Sequence, residues 1–370
     1  MALRVLQVGL GGWGRDWAQQ VIPAVPEVDL VGYVDSDPSA LARLQDAIRI
    51  GPELCFPTLE HAIEATRPEA VLVTATLPGH APVTRAALGA GLHVLVEKPF
   101  VESLDVAEQL VELGAAQGKV LMVSQNYRFF PAARKVLQLV SDSRLGKLHE
   151  VSIDFRRYSP GTVNSPARHH SDDQPLLVDM SIHHFDLLRF ILDREPERIY
   201  CEAWNPPWSA FAGPSVAFSS INFPDNIVVS YRGSWNSKGP ITPWSGEWRM
   251  DFEHGHIFWS SRADAGIKAD RVVIEKPDRK PRTIPLNALA RIDRWGTLTE
   301  FARAVREGRE PECSGRDNIG TLAMVAAAIE SVAQRQPVEI PAILGTLPTS
   351  VVRSRSPLRR EAALDTEPPI

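Results

Sequence analysis

The stretch Val5-Leu6-Gln7-Val8-Gly9-Leu10-Gly11-Gly12-Trp13-Gly14 decides how this 370-residue chain folds. The run Val5–Val8 fits a short strand buried on both faces, and G-x-G-x-x-G follows it at once. Gly9 permits the tight turn from strand to helix. Gly11 lets the backbone approach a pyrophosphate, and Gly14 lets helix and strand pack closely. Gly12 and Trp13 complete the cradle, in which backbone N–H groups at the positive end of the helix face the phosphates. A glycine-rich turn alone is weak, because any tight turn can produce those letters. Here the context adds a strand before, a helical segment after, and an acidic residue ending the second strand. That residue, Asp35, stands 21 positions after Gly14, close to the ~20 of a ribose-binding carboxylate. Its charge suits the adenosine ribose hydroxyls and repels a 2′-phosphate. Ser36, not an arginine, follows it, so the expected cofactor is NAD and NADP is disfavoured. Asp37, followed by Pro38, reads as a helix cap.

Outward from that turn, β-branched runs recur at Leu30–Val34, Ala70–Thr74, His93–Val96 and Val120–Val123. Helical segments at Thr58–Ala65, Ala81–Ala90 and Ser103–Ala116 alternate with them, and Gly91 and Gly118 stand where helices stop. The alternation predicts a parallel sheet with right-handed crossovers. After Gln125 the pattern changes. A helix is expected at Pro131–Ser141, a strand at Leu148–Tyr158, a polar loop to Pro175, and a helix from Asp179 to about Leu192. Arg198–Ile274 reads as successive strands with turn signals such as Phe223-Pro224-Asp225-Asn226. Two helices follow, one starting at a Thr297/Glu300 capping box and one over Arg316–Ala333. The expected fold is α/β. A Rossmann domain with a parallel sheet spans 1–124. A substrate-binding and oligomerisation α/β domain with a large, mostly antiparallel open sheet spans 125–346. A disordered tail rich in Pro, Ser, Thr and Arg spans 347–370.

Bulk properties narrow the function classes. The formal net charge of −5 supplies no positive field for nucleic acid or an anionic membrane. Cys55, Cys201 and Cys313 are far apart and odd in number, which argues against a disulfide framework or a zinc site. With no leader-like N-terminus and no run of ~18 apolar residues, the expectation is a cytoplasmic protein.

The segment Gly91-Leu92-His93-Val94-Leu95-Val96-Glu97-Lys98-Pro99-Phe100 ends a Rossmann strand in Glu-Lys-Pro and resembles the Gfo/Idh/MocA oxidoreductase family. Four further segments are similar to the same family. "VTATLPGHAPVTRAALGAG" resembles its fourth strand and following helix, and "SQNYRFFPA" its entry into the second domain. "LLVDMSIHHFDLLRF" resembles its D-x-x-x-H helix, and "IGTLAMVAAAIESVAQRQPVEI" its last helix and strand. The resemblance spans Val5 to about Ile340. It implies catalytic roles for Lys98, Asp179 and His183. It places Glu97 and Pro99 near the nicotinamide ribose, with Lys98–Pro99 a candidate cis bond, and extends cofactor contacts to Thr76 and His80. It also implies a homodimer or homotetramer. Members often carry glycines where this chain has Asp173-Gln174-Pro175 and Ser181, a departure that bears on the local loop and on substrate contacts.

These residue types suit hydride transfer to a nicotinamide from a sugar, inositol or related polyol. The cofactor accepts the hydride and the protein must take the hydroxyl proton, for which histidine is the usual choice. His183 is the expected base. Asp179, four residues earlier, shares its helix face and either orients the imidazole or contacts a substrate hydroxyl. Lys98 stabilises the developing alkoxide, and desolvation would open the role of base to it. His184 reads as structural, and Asp186 as a brace for His183 or a local cap. Asn126, Tyr127 and Arg128 follow the last Rossmann strand, where a parallel sheet presents its ligand edge. Asn126 and Arg128 are candidates for substrate binding, and an interdomain ion pair is the alternative reading of Arg128. His169-His170 with His183 lack a carboxylate or cysteine in a recognisable spacing, so no metal is expected. Seven of nine tryptophans lie beyond residue 200. They suit a core or a subunit interface better than sugar stacking. Two other functions fit the same letters: a redox-neutral glycosidase or sugar–sugar oxidoreductase that retains its NAD, and a non-catalytic sensor of dinucleotides or sugars.

Overall fold

Strand β1 (Leu3–Val8) is almost wholly buried, as a strand sandwiched between helices must be. The computed structural model describes residues 1–160 and 173–344. The expected tail therefore lies outside the described residues, as do His169 and His170. The chain forms two compact units. Among the described residues, one comprises Met1–Asn126 and Arg291–Ile319; the other comprises Tyr127–Ala290 and residues 320–344.

In the first unit β1 is followed by a short helix α1 (Gly12–Asp16), then by β2 (Val28–Val34), α2 (Pro38–Ile48), β3 (Cys55–Phe56) and α3 (Leu59–Thr66). Next come β4 (Ala70–Val73), α4 (Leu77–Gly89), β5 (His93–Glu97), α5 (Leu104–Ala116) and β6 (Leu121–Ser124). The six strands pair in parallel in the order β3-β2-β1-β4-β5-β6. That is the doubly wound order, with its topological switch between β1 and β4. Local signals set the helix starts. The Asp37 carboxylate accepts from Ser39 N at 2.9 Å ahead of α2, and Thr58 and Ser103 cap α3 and α5. The segment after the glycine turn is less regular than the sequence predicts. Helix α1 passes into a π turn over Trp17–Val21 and a 3-10 turn over Ile22–Ala24, where Pro23 removes a backbone donor.

The first unit also takes in a piece from far along the chain. Helix α8 (Asp293–Glu307) packs beside β5 and β6. The expected capping box is corrected. Helix α8 begins at Asp293, the Thr297 hydroxyl donates back to Asp293 O at 3.2 Å, and Glu300 accepts the Arg309 guanidinium. Glu300 thus serves an ion pair formed by tertiary packing rather than a cap.

The second unit contains α6 (Pro131–Ser141), β7 (Leu148–Arg156), α7 (Ile182–Leu192), β8 (Arg198–Trp204), β9 (Val216–Phe223) and β10 (Ile227–Ser234). It continues with β11 (Glu247–Phe252), β12 (Gly255–Ser260), β13 (Arg271–Glu275), β14 (Arg282–Thr283) and β15 (Val338–Glu339). Helix α9 (Gly315–Gln334) precedes β15 in the chain. The nine strands run β14-β13-β12-β11-β7-β10-β9-β8-β15, and β7 with β10 is the parallel pair in an otherwise antiparallel sheet. Alternation along each strand turns one face inward. On β10, for example, Ile227, Val229, Tyr231 and Gly233 are buried between more exposed neighbours. Helix α6 lies against β12 and β13 on this buried side.

Candidate active site

The glycine turn of the first unit has the geometry of a phosphate cradle. A Cβ on Gly9 would lie 2.4 Å from Ala75 Cα, and one on Gly14 would lie 2.0 Å from Gly9 O, so both positions exclude a side chain. Gly9 also has φ +95°, a conformation that favours glycine. Gly11 and Gly12, by contrast, have no atom within 4 Å of where a Cβ would stand. The backbone there faces open space, as a turn that receives a pyrophosphate requires. Gln7 holds the turn from beneath, donating to Gly14 O at 2.7 Å and Thr74 Oγ1 at 2.9 Å. The Asp35 carboxylate accepts from Leu10 N at 2.7 Å and from Asp37 N at 2.9 Å. It therefore ties the end of β2 to the turn. These residues fit a dinucleotide.

The Glu-Lys-Pro segment ends β5, and its Lys98–Pro99 bond is cis. Glu97 is buried, and its carboxylate is already engaged. Oε1 accepts from Trp17 Nε1 at 2.7 Å and Ser124 Oγ at 3.3 Å, and Oε2 from Lys98 N at 3.1 Å. The Glu97 carboxylate thus holds the backbone N–H of Lys98. Trp17 is its partner, which the sequence did not single out. His80 is buried too, with Nδ1 2.7 Å from Pro99 O and Nε2 3.1 Å from Ala75 O. It links the ends of β4 and β5. Thr76, just before α4, and Trp13 are exposed. Asn126 is buried, and its amide donates to Asp293 Oδ1.

In the second unit Asp179 and His183 do not lie on one continuous α-helix. Asp179 sits in a π turn (Leu177–Ser181), and α7 begins at Ile182. Such wide turns interrupt helices most often at functional sites. The His183 ring stacks on Tyr127, with centroids 4.0 Å apart and planes within 3°. The Tyr127 hydroxyl accepts from Arg262 Nη1 at 2.7 Å, and the Arg262 guanidinium lies 4.6 Å from the Tyr127 ring. Tyr127 was legible as a residue at the ligand edge. Its stacking, and Arg262 more than a hundred residues away, were not.

Arg128 forms an ion pair, but within the second unit rather than between domains. It is fully buried, and its Nε–Nη2 edge forks onto Asp186 at 2.6 and 2.5 Å. Asp186 consequently braces Arg128, and not His183 as the spacing suggested. His184 is structural, as expected. Nε2 donates to Trp244 O at 3.0 Å, and Nδ1 lies 3.1 Å from the Tyr231 hydroxyl. Burial pushes its imidazole down to about 4, opposed by the bond to the Trp244 carbonyl.

That depression has a consequence for stability. Native His184 stays neutral, while in the unfolded chain it takes up a proton from about pH 6.5 downward. Stability is therefore present above that value and lost as pH falls from about 6.5 to about 4. Below that range the loss levels off at about 3 kcal/mol. Urea unfolding of wild type and His184→Gln across this range should give curves that converge towards acid. Parallel curves would refute the assignment.

No helix among the described residues is long and apolar enough to cross a membrane. Residues 3–125 match the family model of oxidoreductases with an NAD-binding Rossmann fold, and 133–257 match the GFO/IDH/MocA C-terminal domain. The chain is 23% identical over 351 residues to the myo-inositol 2-dehydrogenase of Thermotoga maritima, covering 93% of this chain and 100% of that protein. It is 25% identical over 360 residues to the D-apiose dehydrogenase of Paraburkholderia graminis, covering 90% and 88%. Its fold is that of an oxidoreductase from Agrobacterium radiobacter solved with NAD+, L-tartaric acid and magnesium. The TM-score is 0.80 at 20% identity, over 93% of this chain and 100% of that one. The chain belongs to the Gfo/Idh/MocA family of NAD(P)-binding oxidoreductases.

Proposed function

We propose that this protein is an NAD-dependent dehydrogenase that moves a hydride between the nicotinamide and a carbinol carbon of a sugar, inositol or related polyol. The observation that carries the reading is the open backbone at Gly11 and Gly12, flanked by two glycines that admit no side chain, in a chain that retains Lys98, Asp179 and His183. Relatives that act on myo-inositol and D-apiose support the substrate class. When bound, the nicotinamide supplies the hydride acceptor.

The remaining work falls to the chain. Glu97 holds the backbone of Lys98, whose ammonium stabilises the oxygen that becomes negative as the hydroxyl proton leaves. His183, held flat against Tyr127, takes that proton in oxidation and returns it in reduction. Asp179 orients the imidazole or a neighbouring hydroxyl. Asp35 selects NAD by repelling a 2′-phosphate. Mixing the protein with NAD and a panel of polyols is expected to raise absorbance at the reduced-nicotinamide band, with NADP giving slower turnover. Bound NAD with no turnover across the panel would refute the reading, and NADP preferred over NAD would refute the role given to Asp35.

A further inference from the structure

Three arginines of the second unit show how this chain holds carboxylates. Arg128 grips Asp186, Arg189 grips Glu195 at 2.7 and 2.7 Å, and Arg232 grips Asp154 at 2.9 and 2.7 Å. Each uses the same edge, Nε with Nη2, the geometry of a planar two-oxygen fork. Arg157, one residue beyond β7, differs. Its Nη1 donates to Asp264 Oδ2 at 2.6 Å. Its Nε and Nη2 are buried with no hydrogen-bond acceptor among the described residues. Leaving buried donors unsatisfied costs roughly 1–3 kcal/mol each. The residue is nonetheless pinned, its backbone N donating to Ser234 O at 2.8 Å and its carbonyl accepting from Ser237 N at 3.0 Å.

The surroundings connect this edge to His183. The Arg157 guanidinium lies 4.1 Å from the centroid of the Trp244 ring, and that of Arg262 lies 5.9 Å from it. Arg262 in turn holds Tyr127, on which His183 is stacked. The Trp244 backbone N donates to Arg262 O at 3.1 Å, and its indole donates to Asp264 Oδ1 at 2.8 Å. The Arg157 guanidinium thus stands at an aromatic cluster beside the Asp264 carboxylate. A hydroxyl offers one oxygen to such an edge. A carboxylate or phosphate offers two coplanar oxygens and a charge, and charge-assisted hydrogen bonds are about twice as strong as neutral ones.

We propose that the substrate carries an anionic group, a carboxylate or a phosphate, received by the Nε–Nη2 edge of Arg157. This deepens the dehydrogenase reading, since it rests on His183 marking the substrate site. It narrows the substrate from neutral polyols to acid or phosphorylated sugars.

Calorimetric titration of the NADH-saturated protein tests it without turnover, using D-glucuronate, D-glucose 6-phosphate and D-glucose as probes. At least one of the two anions is expected to bind about tenfold or more tightly than glucose, and the preferred one tells carboxylate from phosphate. Arg157→Lys, which keeps the charge and loses the fork, should remove that advantage while NADH affinity holds. Asp264→Asn leaves the fork and raises the net charge, so anion affinity should rise, the opposite of what a merely structural pair would give. Glucose bound as tightly as both anions, no anion bound at all, or an unchanged ratio in Arg157→Lys overturns the proposal. Failure of NADH itself to bind would instead overturn the dehydrogenase reading.

Discussion

Replacing His183 with alanine is expected to slow hydride transfer by roughly 10²–10⁴-fold, the usual value of a positioned general base, with NAD affinity nearly unchanged. The separation of effects follows from where the residues reside. The proposed dinucleotide cradle of Gly9, Gly11, Gly14 and Asp35 belongs to the first unit, while His183 is on α7 of the second. Lys98→Met should lose a comparable factor, because it removes the positive charge that stabilises the alkoxide. His183→Gln keeps a planar group against the Tyr127 ring, so a loss of rate in both His183 variants identifies proton transfer rather than lost packing. Single-turnover kinetics and NAD titration provide the two readouts. Wild-type rates, or equal losses of rate and NAD affinity, would show that these roles are misplaced.

Asp186→Ala is expected to destabilise the protein by about 3–5 kcal/mol, the cost of leaving one member of a buried ion pair uncompensated. The Arg128 and Asp186 side chains are 0% and 1% exposed, so water cannot replace the missing carboxylate. The Thr321 hydroxyl also donates to Asp186 Oδ1 at 3.1 Å and accepts from Arg189 Nη1 at 2.9 Å, so the loss reaches a second arginine. The double variant Arg128→Met, Asp186→Leu should recover much of the stability, since apolar replacements of a buried pair are often neutral or better. Denaturant midpoints measure both. A single variant within about 1 kcal/mol of wild type would mean that the pair is solvated or dispensable.

Much of the fold was legible because it rests on short-range rules. Asp37 with Pro38, Thr58 and Ser103 cap helices through atoms two or three residues away. Buried parallel strands are apolar throughout, so β1, β4 and β5 stand out in the chain. The failures share one cause, the dependence of a residue on partners distant in sequence. Glu300 looked like a capping-box residue and instead receives Arg309. Arg128 looked like a ligand-edge residue and is enclosed by Asp186. The π turn beneath Asp179 was invisible because its letters also suit an ordinary helix.

By itself the sequence determined the doubly wound sheet and the glycine turn, and placed Lys98, Asp179 and His183 as candidates through their resemblance to a family. Those depend on glycine's backbone freedom, on the period of apolar residues, and on side-chain chemistry, all of which are local. Only the tertiary structure decided which charges are internally paired and which buried donor edges lack an acceptor. It gave Asp186 to Arg128, laid Tyr127 against His183, and left the Arg157 edge without an acceptor among the described residues. Hydrogen bonds act over about 3 Å in space whatever the separation along the chain, and no spacing in a sequence records that.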